Sequence, residues 1–132
     1  MRAHSKILFF IASAALLTSC SQEKNTLVNR TYHNVTARYN GFFNGRLALQ
    51  DAHKSMKEAY QEDYTTLLPI FISSKDEVVQ PVYPDLERAI EKTSMVVDRH
   101  SMDINGKENC NWIDDTWIVM GEAQFLKGEL TQ

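Results

Sequence analysis

The sequence has few of the residues that break regular structure. Its 132 residues include 5 glycines and 3 prolines, a scarcity that excludes collagen-like repeats and extended disorder. Only two cysteines are present, Cys20 and Cys110, so no framework of several disulfides holds the chain together. The length suits one small domain at most.

The chain also lacks an excess of basic residues. It has 14 Lys+Arg and 17 Asp+Glu, which gives a formal net charge of −3. Removal of residues 1–19 would take away Arg2 and Lys6 and no acid, so that 12 basic residues would face 17 acidic ones and the net charge would be −5. Proteins that bind nucleic acid need a positive surface. The charge therefore argues against nucleic acid as a partner.

The first 20 residues have the three parts of an export signal. Arg2 and Lys6 give a positive start, and the apolar run from Ile7 to Leu17 is too short to span a bilayer as a stable anchor. Leu17-Thr18-Ser19-Cys20 then resembles the lipobox of bacterial lipoproteins. We therefore predict that residues 1–19 are a lipoprotein signal peptide.

Cys20 is the predicted site of lipidation. In bacterial lipoproteins the cysteine of the lipobox carries several acyl chains, which anchor a protein better than one chain does. An aspartate directly after the cysteine would indicate retention in the inner membrane. This chain has Ser21 at that position, which favours transport to the outer membrane. We interpret residues 20–26 as the lipidated cysteine and a polar tether.

Cys110 is left without a partner within the chain if Cys20 is acylated. It lies in Asn109-Cys110-Asn111, and no histidine that could activate it can be identified in the sequence. The sequence therefore favours a structural cysteine over a nucleophile or a redox site.

Residues 29–60 have the period of a helix. Apolar residues recur at spacings of three, four or seven and form one stripe: Tyr32, Val35, Tyr39, Phe42, Leu49, Ala52, Met56 and Tyr60. Asn40-Gly41 and Asn44-Gly45 are turn signals within this pattern. They leave two alternatives open, one helix with a weak middle or two helices that turn near Asn44. Gly41 and Gly45 would also let another helix approach closely.

The next segment loses this period. Pro69, Pro81 and Pro84 predict an extended segment near residues 64–84 that lies over the helices. Asp85 then resembles the N-cap of a helix that runs to about Met102. Its predicted buried side consists of Leu86, Ala89, Ile90, Met95, Val96 and Val97.

A turn and a further helix start complete the pattern. Asp103-Ile104-Asn105-Gly106 predicts a turn. Asp114 resembles the N-cap of the last helix, and Asp115 falls in its first turn, where a negative charge suits the helix dipole.

The last helix carries the most specific motif. From Trp117 the sequence reads WIVMGEAQFLKGELTQ, which resembles the first half of a tetratricopeptide repeat (TPR), with its W-x-x-L-G-x-x-Y pattern. Trp117, Met120, Gly121 and Ala123 match the pattern, whereas Gln124 stands where tyrosine is expected and Phe125 follows it. Lys127-Gly128-Glu129-Leu130 matches the turn between the two helices of a repeat, and Gly128 would end the first helix.

The resemblance to a repeat assigns packing roles to these residues. Trp117, Met120 and Phe125 would fill the interface, and Gly121 would let the partner helix approach. Half a repeat cannot bury its own apolar face. We therefore expect an all-α fold in which helical hairpins lead into a TPR solenoid. Residues 27–113 would form an N-terminal helical region, and residues 114–132 the first half of a repeat that is truncated in this chain.

No catalytic or metal-binding pattern can be identified. His33, His53 and His100 are scattered without the paired spacing of metal ligands, and we interpret each as a surface or core-edge residue. Asp114 and Asp115 are adjacent on a helix and point in different directions. The sequence predicts no enzyme, no metal and no cofactor.

Further short motifs extend the resemblance over nearly all of residues 20–132. They are, in order, Arg30-Thr31-Tyr32-His33-Asn34, Ala37-Arg38-Tyr39-Asn40-Gly41, Phe43-Asn44-Gly45, Leu67-Leu68-Pro69, Arg99-His100-Ser101-Met102 and Trp112-Ile113-Asp114-Asp115. Together they resemble the start of the PorW/SprE lipoproteins of the type IX secretion and gliding-motility machinery. In that family a long TPR array follows.

The resemblance implies a non-enzymatic scaffold or adaptor, anchored to the outer membrane and facing the periplasm. Its expected partners are the membrane, through acylated Cys20, and proteins of a secretion and motility complex, with no nucleic acid and no small-molecule substrate. Two alternatives remain open, both of them lipoproteins. One binds glycans for an outer-membrane uptake system through Trp112, Trp117 and Tyr83, and the other assists outer-membrane protein assembly.

Overall fold

The computed structural model describes residues 22–71 and 76–128, and this part of the chain is mostly helical. The expectation of an all-α fold is confirmed at that level, with one two-stranded hairpin as the sheet in the described part. The predicted signal peptide, Cys20 and residues 129–132, which complete the predicted half-repeat, lie outside the described residues.

One uninterrupted helical stretch runs through residues 27–59. Helix α1 (Leu27–Thr36) continues into a π-helical segment (Ala37–Phe42) and then into α2 (Phe43–Ala59). The Thr26 side chain caps α1 by accepting a hydrogen bond from the backbone N–H of Asn29, at 3.3 Å. The alternative of one helix with a weak middle is therefore confirmed, and the alternative of a turn near Asn44 is wrong.

The asparagines in this stretch widen the helix instead of breaking it. The Asn44 side-chain amide donates to the backbone carbonyl of Asn40 at 2.7 Å and so supplies a partner where the hydrogen-bond ladder changes. The wider turn places the buried residues Ala37 and Phe42 five positions apart. A regular helix would return to the same face after three or four residues.

The predicted apolar stripe is only half correct. Phe42, Leu49, Ala52 and Met56 are buried as expected, and Tyr60 packs against the core. The prediction is wrong for the first part of the stripe, because Tyr32, Val35 and Tyr39 are 48%, 50% and 65% exposed. There the core takes the next face around the helix, which carries Asn29, His33 and Ala37.

The prolines begin helices where the sequence predicted an extended segment. Residues 60–71 have no regular structure, but α3 (Asp76–Val79) and a 3₁₀ turn (Gln80–Val82) precede α4 (Tyr83–His100). The prediction of extended chain is therefore wrong from Asp76 onwards. Pro81 and Pro84 each lie in the first turn of their element, where a missing N–H costs no hydrogen bond. Asp85 likewise lies in the first turn of α4 and is not its cap.

A tight hairpin links α4 to the last helix. Strands β1 (Asp103–Ile104) and β2 (Lys107–Glu108) pair antiparallel. Asn105 and Gly106, at φ 57° and 76°, form the two-residue turn that the sequence predicted. Helix α5 (Ile113–Lys127) then begins after Trp112, with Asp115 in its first turn as expected. The prediction of Asp114 as its N-cap is wrong, because Asp114 lies inside the first turn as well.

Helix α4 is the centre of the fold and packs against both α2 and α5. Its buried side consists of Leu86, Ala89, Thr93 and Val96, so three of the six predicted core residues are fully buried and Ile90, Met95 and Val97 are partly buried. The predicted close approach at the paired glycines is confirmed. A Cβ at Gly45 would lie 2.8 Å from Thr93 Cγ2, and one at Gly41 would lie 3.2 Å from the backbone oxygen of Lys92.

Candidate functional site

The two sides of helix α5 differ sharply in their surroundings, although apolar residues lie on both. Met120 and Ala123 are 6% and 0% exposed, because they belong to the side that packs on the rest of the fold. Trp117, Ile118 and Phe125 are 52%, 67% and 61% exposed. We call these three residues the apolar side of α5. Among the predicted packing residues, Met120 and Ala123 are therefore buried, whereas Trp117 and Phe125 fill no interface within the described residues.

The two glycines of this segment have different roles. Gly128, at φ 81°, ends α5 in the left-handed conformation, as the sequence predicted. At Gly121 a Cβ would meet no heavy atom within 4 Å. No helix in the described part of the chain therefore requires the absence of a side chain at Gly121, in contrast to Gly41 and Gly45.

A shallow groove adjoins the apolar side of α5. Its volume is about 360 Å³, and its lining includes Met56, Ile70, Phe71, Phe125 and Leu126. At its edge His53 Nε2 lies 2.9 Å from Glu122 Oε1, a contact that joins α2 to α5 at the surface. The groove shares Phe125 with the apolar side of α5, and exposed apolar surface of this kind can mark a binding site.

His33 and His100 form a pair that the sequence analysis missed. Their Nδ1 atoms lie 3.1 Å apart, and the edge of the Tyr32 ring packs against both imidazoles. A hydrogen bond between two ring nitrogens needs one donor and one acceptor, so one proton is shared by this contact. The residues are 67 positions apart, and only the packing of α1 on the end of α4 brings them together.

Burial sets the charge state of this histidine pair. It lowers the pKa of His33, an effect that the Arg99 carbonyl and the charge of Glu108 oppose. Burial also lowers the pKa of His100, and the positive charges of His33 and Arg99 lower it further. His33 is 4% exposed, and its Nε2 atom is buried without a hydrogen-bond partner among residues 22–71 and 76–128. Burial therefore favours the neutral form of both imidazoles, and His33 belongs to the core and not to the surface.

Glu108 fixes the hairpin to the helices beside it. Its Oε2 accepts a hydrogen bond from the Ser101 hydroxyl at 2.6 Å, and its Oε1 accepts from the backbone N–H of Met102 at 2.7 Å and of Cys110 at 2.8 Å. Burial alone would raise the pKa of Glu108, but these hydrogen bonds outweigh it and lower the pKa. The carboxylate is thus a charged structural residue that accepts three hydrogen bonds.

Cys110 is a buried thiol. It is 1% exposed, and its Sγ donates to the backbone carbonyl of His33 at 3.9 Å. Burial raises its pKa, which keeps the sulfur protonated, whereas a reactive cysteine needs an accessible thiolate. The interpretation of Cys110 as a structural residue agrees with this environment.

The described residues contain no group of three or more His, Cys, Asp or Glu side chains that could hold a metal ion. Nor does any helix in residues 22–71 or 76–128 have the length and hydropathy needed to cross a membrane. A scan of protein-family models finds no match to the chain, and a search of curated proteins finds none either. The resemblance to the PorW/SprE lipoproteins therefore stays a prediction.

Proposed function

We propose that the chain is a non-enzymatic scaffold or adaptor lipoprotein, anchored to the outer membrane, facing the periplasm and required for type IX secretion and gliding motility. The anchor is proposed from the order of charged start, apolar run and lipobox that ends at Cys20. The role is proposed from the series of short motifs between Arg30 and Asp115. Its partners are proteins of the secretion and motility complex.

The observation that carries the adaptor proposal is the apolar side of α5. Three large side chains are exposed on one helix, and a helical glycine beside them has free space over it. A second helix can pack its side chains into the groove that such large residues form around a glycine. We propose that α5 is the first helix of a TPR and that the second helix of the repeat covers Trp117, Gly121 and Phe125.

A glycan-binding lipoprotein is the second candidate, and the exposed indole of Trp117 is the observation that favours it. Of its other two candidate residues, Tyr83 packs against the core. Trp112 is partly buried, with the Phe42 ring centroid 5.4 Å from its own and the Arg38 guanidinium 4.6 Å over its face. Sugars stack on exposed aromatic faces, and of the three candidate residues Trp117 alone offers such a face.

Complementation of a strain that lacks the protein tests the adaptor proposal. Trp117→Ala combined with Phe125→Ala, introduced into the full gene, should reduce the export of type IX substrates and the speed of gliding while the protein still reaches the membrane. Tyr64→Ala combined with Leu67→Ala is the matched control, because these loop residues are 78% and 98% exposed and lie outside both α5 and the groove beside it. Normal secretion and gliding in the α5 double variant would refute the proposal, and a loss of glycan uptake alone would favour the second candidate.

A further inference from the structure

A second exposed stripe runs along the first helical stretch, on the side away from the core. Its members recur every three or four residues through α1, the π-helical segment and α2, and each is at least 43% exposed: Val28, Tyr32, Val35, Tyr39, Phe43 and Leu47. We call it the aromatic stripe. Packing in the core accounts for the residues on the opposite face of this stretch, but it does not account for the exposed stripe.

The charge of this stretch is as uneven as its hydropathy. Between Glu23 and Asp51 the sequence has four basic residues, Lys24, Arg30, Arg38 and Arg46, and no acid. Sixteen of the 17 acidic residues of the chain lie at Asp51 or beyond it. The chain as a whole is acidic, but the segment between Glu23 and Asp51 is basic, and this segment follows the residue that is predicted to bear the lipid.

Two of these arginines border the aromatic stripe. Arg38 and Arg46 line a depression of about 200 Å³ together with Tyr39, Phe43 and Trp112. The Arg38 guanidinium lies 4.9 Å from the centre of the Tyr39 ring and 4.6 Å from that of Trp112. No ion pair within the described residues involves either arginine, and the acids nearest Trp112 in sequence, Asp114 and Asp115, pair with neither.

We propose that this face of residues 27–47 lies on the surface of an anionic bilayer, with the aromatic stripe among the headgroups and Arg38 and Arg46 on lipid phosphates. Helices that rest on membranes combine an apolar face with basic flanks, and tyrosine is enriched at the depth of the headgroups. The distribution of charge favours the same orientation of the chain on the bilayer. When residues 27–47 face the anionic lipid, the acidic residues from Asp51 onwards lie farther from it. The inference rests on the proposed anchor, which brings this helix to a bilayer.

A reporter on the stripe tests this contact in the full, membrane-anchored chain. Val35→Cys carries an environment-sensitive fluorophore (NBD), and Glu58→Cys, exposed near the end of α2, carries the control. Cys110 is buried and does not compete for the label. The protein is reconstituted into vesicles of phosphatidylcholine, with or without an equal part of phosphatidylglycerol. We expect blue-shifted emission and protection from dithionite for the Val35 label in the anionic vesicles alone, and neither change for the Glu58 label.

Charge variants test the role of the arginines. Arg38→Gln with Arg46→Gln should lower the ratio of bilayer-bound to free helix about 30-fold, since each basic residue near an anionic surface contributes roughly fivefold. Lys54→Gln with Lys57→Gln removes the same charge from the far part of α2 and should change nothing. Circular dichroism of each variant confirms that the fold is retained.

Three results would overturn the inference. If dithionite reaches the Val35 label in both kinds of vesicle, this face does not contact the bilayer. If the label is protected equally in both kinds, the contact does not depend on the charge of the lipid. Protection that appears only after addition of polyglutamate would assign the face to an acidic protein segment instead. The intact mass of the same preparation reports acylation of Cys20 separately, so failure of the proposed anchor is distinguishable from failure of the bilayer contact.

Discussion

Gly45 and Gly121 both lie inside helices but meet opposite surroundings. Replacement of Gly45 by alanine would place its Cβ 2.8 Å from Thr93 Cγ2 and 3.3 Å from the Ala89 carbonyl oxygen. We expect Gly45→Ala to lower the free energy of unfolding by about 1–3 kcal/mol, because α2 and α4 must move apart. Urea denaturation followed by circular dichroism measures this change.

Gly121→Ala is the matched opposite of that substitution. Its Cβ meets nothing within 4 Å in the described part of the chain, so the higher helix propensity of alanine should raise the free energy of unfolding by about 0.8–1.0 kcal/mol. In cells, however, the proposed partner helix would have to pack over this methyl group, and Gly121→Ala should impair secretion. A more stable variant with normal secretion would show that the space over Gly121 is not used.

The histidine pair makes stability depend on pH. Because burial lowers the pKa of His33 and His100, the unfolded chain binds more protons than the folded one once the pH falls below the ordinary histidine pKa of about 6.5. The contribution of the pair is complete above that pH and is lost as the pH falls through it towards the lowered values. We expect the double variant His33→Gln with His100→Gln to flatten this loss in urea titrations between about pH 8 and pH 5.

His53→Gln is the control for that titration. His53 is exposed at the surface beside Glu122, and it lies outside the histidine pair. An equal loss of stability on acidification in wild type and in the His33/His100 variant would disprove the assignment of the pH dependence to this pair.

At the scale of elements, the hairpin depends on one carboxylate. Glu108→Gln replaces a charged acceptor by a neutral amide. Its oxygen can still accept from the backbone N–H groups of Met102 and Cys110, but its NH2 group can only donate to the Ser101 hydroxyl, and all three hydrogen bonds lose their charge-assisted strength. We expect a loss of about 1–3 kcal/mol in unfolding free energy, measured by urea denaturation at neutral pH. Since the pKa of Glu108 is lowered, its contribution is present above the ordinary glutamate pKa of about 4.3 and disappears as the pH falls through the lowered value.

Glu58→Gln supplies the comparison for this element, because Glu58 is exposed and its ion pair within the described residues is with Lys54, at 3.9 Å. If both glutamine variants unfold at the same urea concentration, Glu108 does not hold the hairpin.

The elements differ in how far the sequence could predict them. Periodicity identified α2, α4 and α5, and the Asn105-Gly106 pair identified the hairpin turn, because these signals are local. The π-helical segment was not predictable from the stripe, since a change of helix width alters which residues face the core. For that reason Tyr32, Val35 and Tyr39 were wrongly assigned to the interior. The histidine pair could not be predicted for another reason. Its two residues are 67 positions apart, and the spacing of residues along the chain does not show which distant helices pack together.

The prolines were also misinterpreted from the sequence. Pro81 and Pro84 were interpreted as barriers to helix, yet each occupies the first turn of an element, where proline is favoured. Whether a proline ends or begins a helix depends on the residues that follow it. Leu86 and Ala89, which pack in the core, favour the second outcome.

At the scale of the whole molecule, the apolar side of α5 predicts self-association. Three large apolar residues exposed on one helix should pair with a second copy at high concentration when no other helix covers them. Trp117→Ser with Phe125→Ser should shift sedimentation towards the monomer, and Leu67→Ser, in the exposed loop, should not. Wild type that sediments as a monomer at every concentration would contradict this use of the surface.

The aromatic stripe and the apolar side of α5 lie at different ends of the described chain. The basic first helix with its aromatic stripe lies next to the predicted anchor, and the apolar side of α5 lies in the last helix of the described part. We propose that the first faces lipid and the second faces protein. A lipid-anchored adaptor with these two surfaces would contact the bilayer and a protein partner at the same time.

The intact mass of the protein, extracted from separated inner and outer membranes, tests the central proposal of a lipid-anchored adaptor most directly. We expect a chain that begins at Cys20, carries the mass of a diacylglyceryl group and a further acyl chain, and is found in the outer membrane. Cys20→Ala should remove the acyl mass and release the protein from that fraction. A wild-type chain that begins elsewhere, or that begins at Cys20 without acyl mass, would contradict the account.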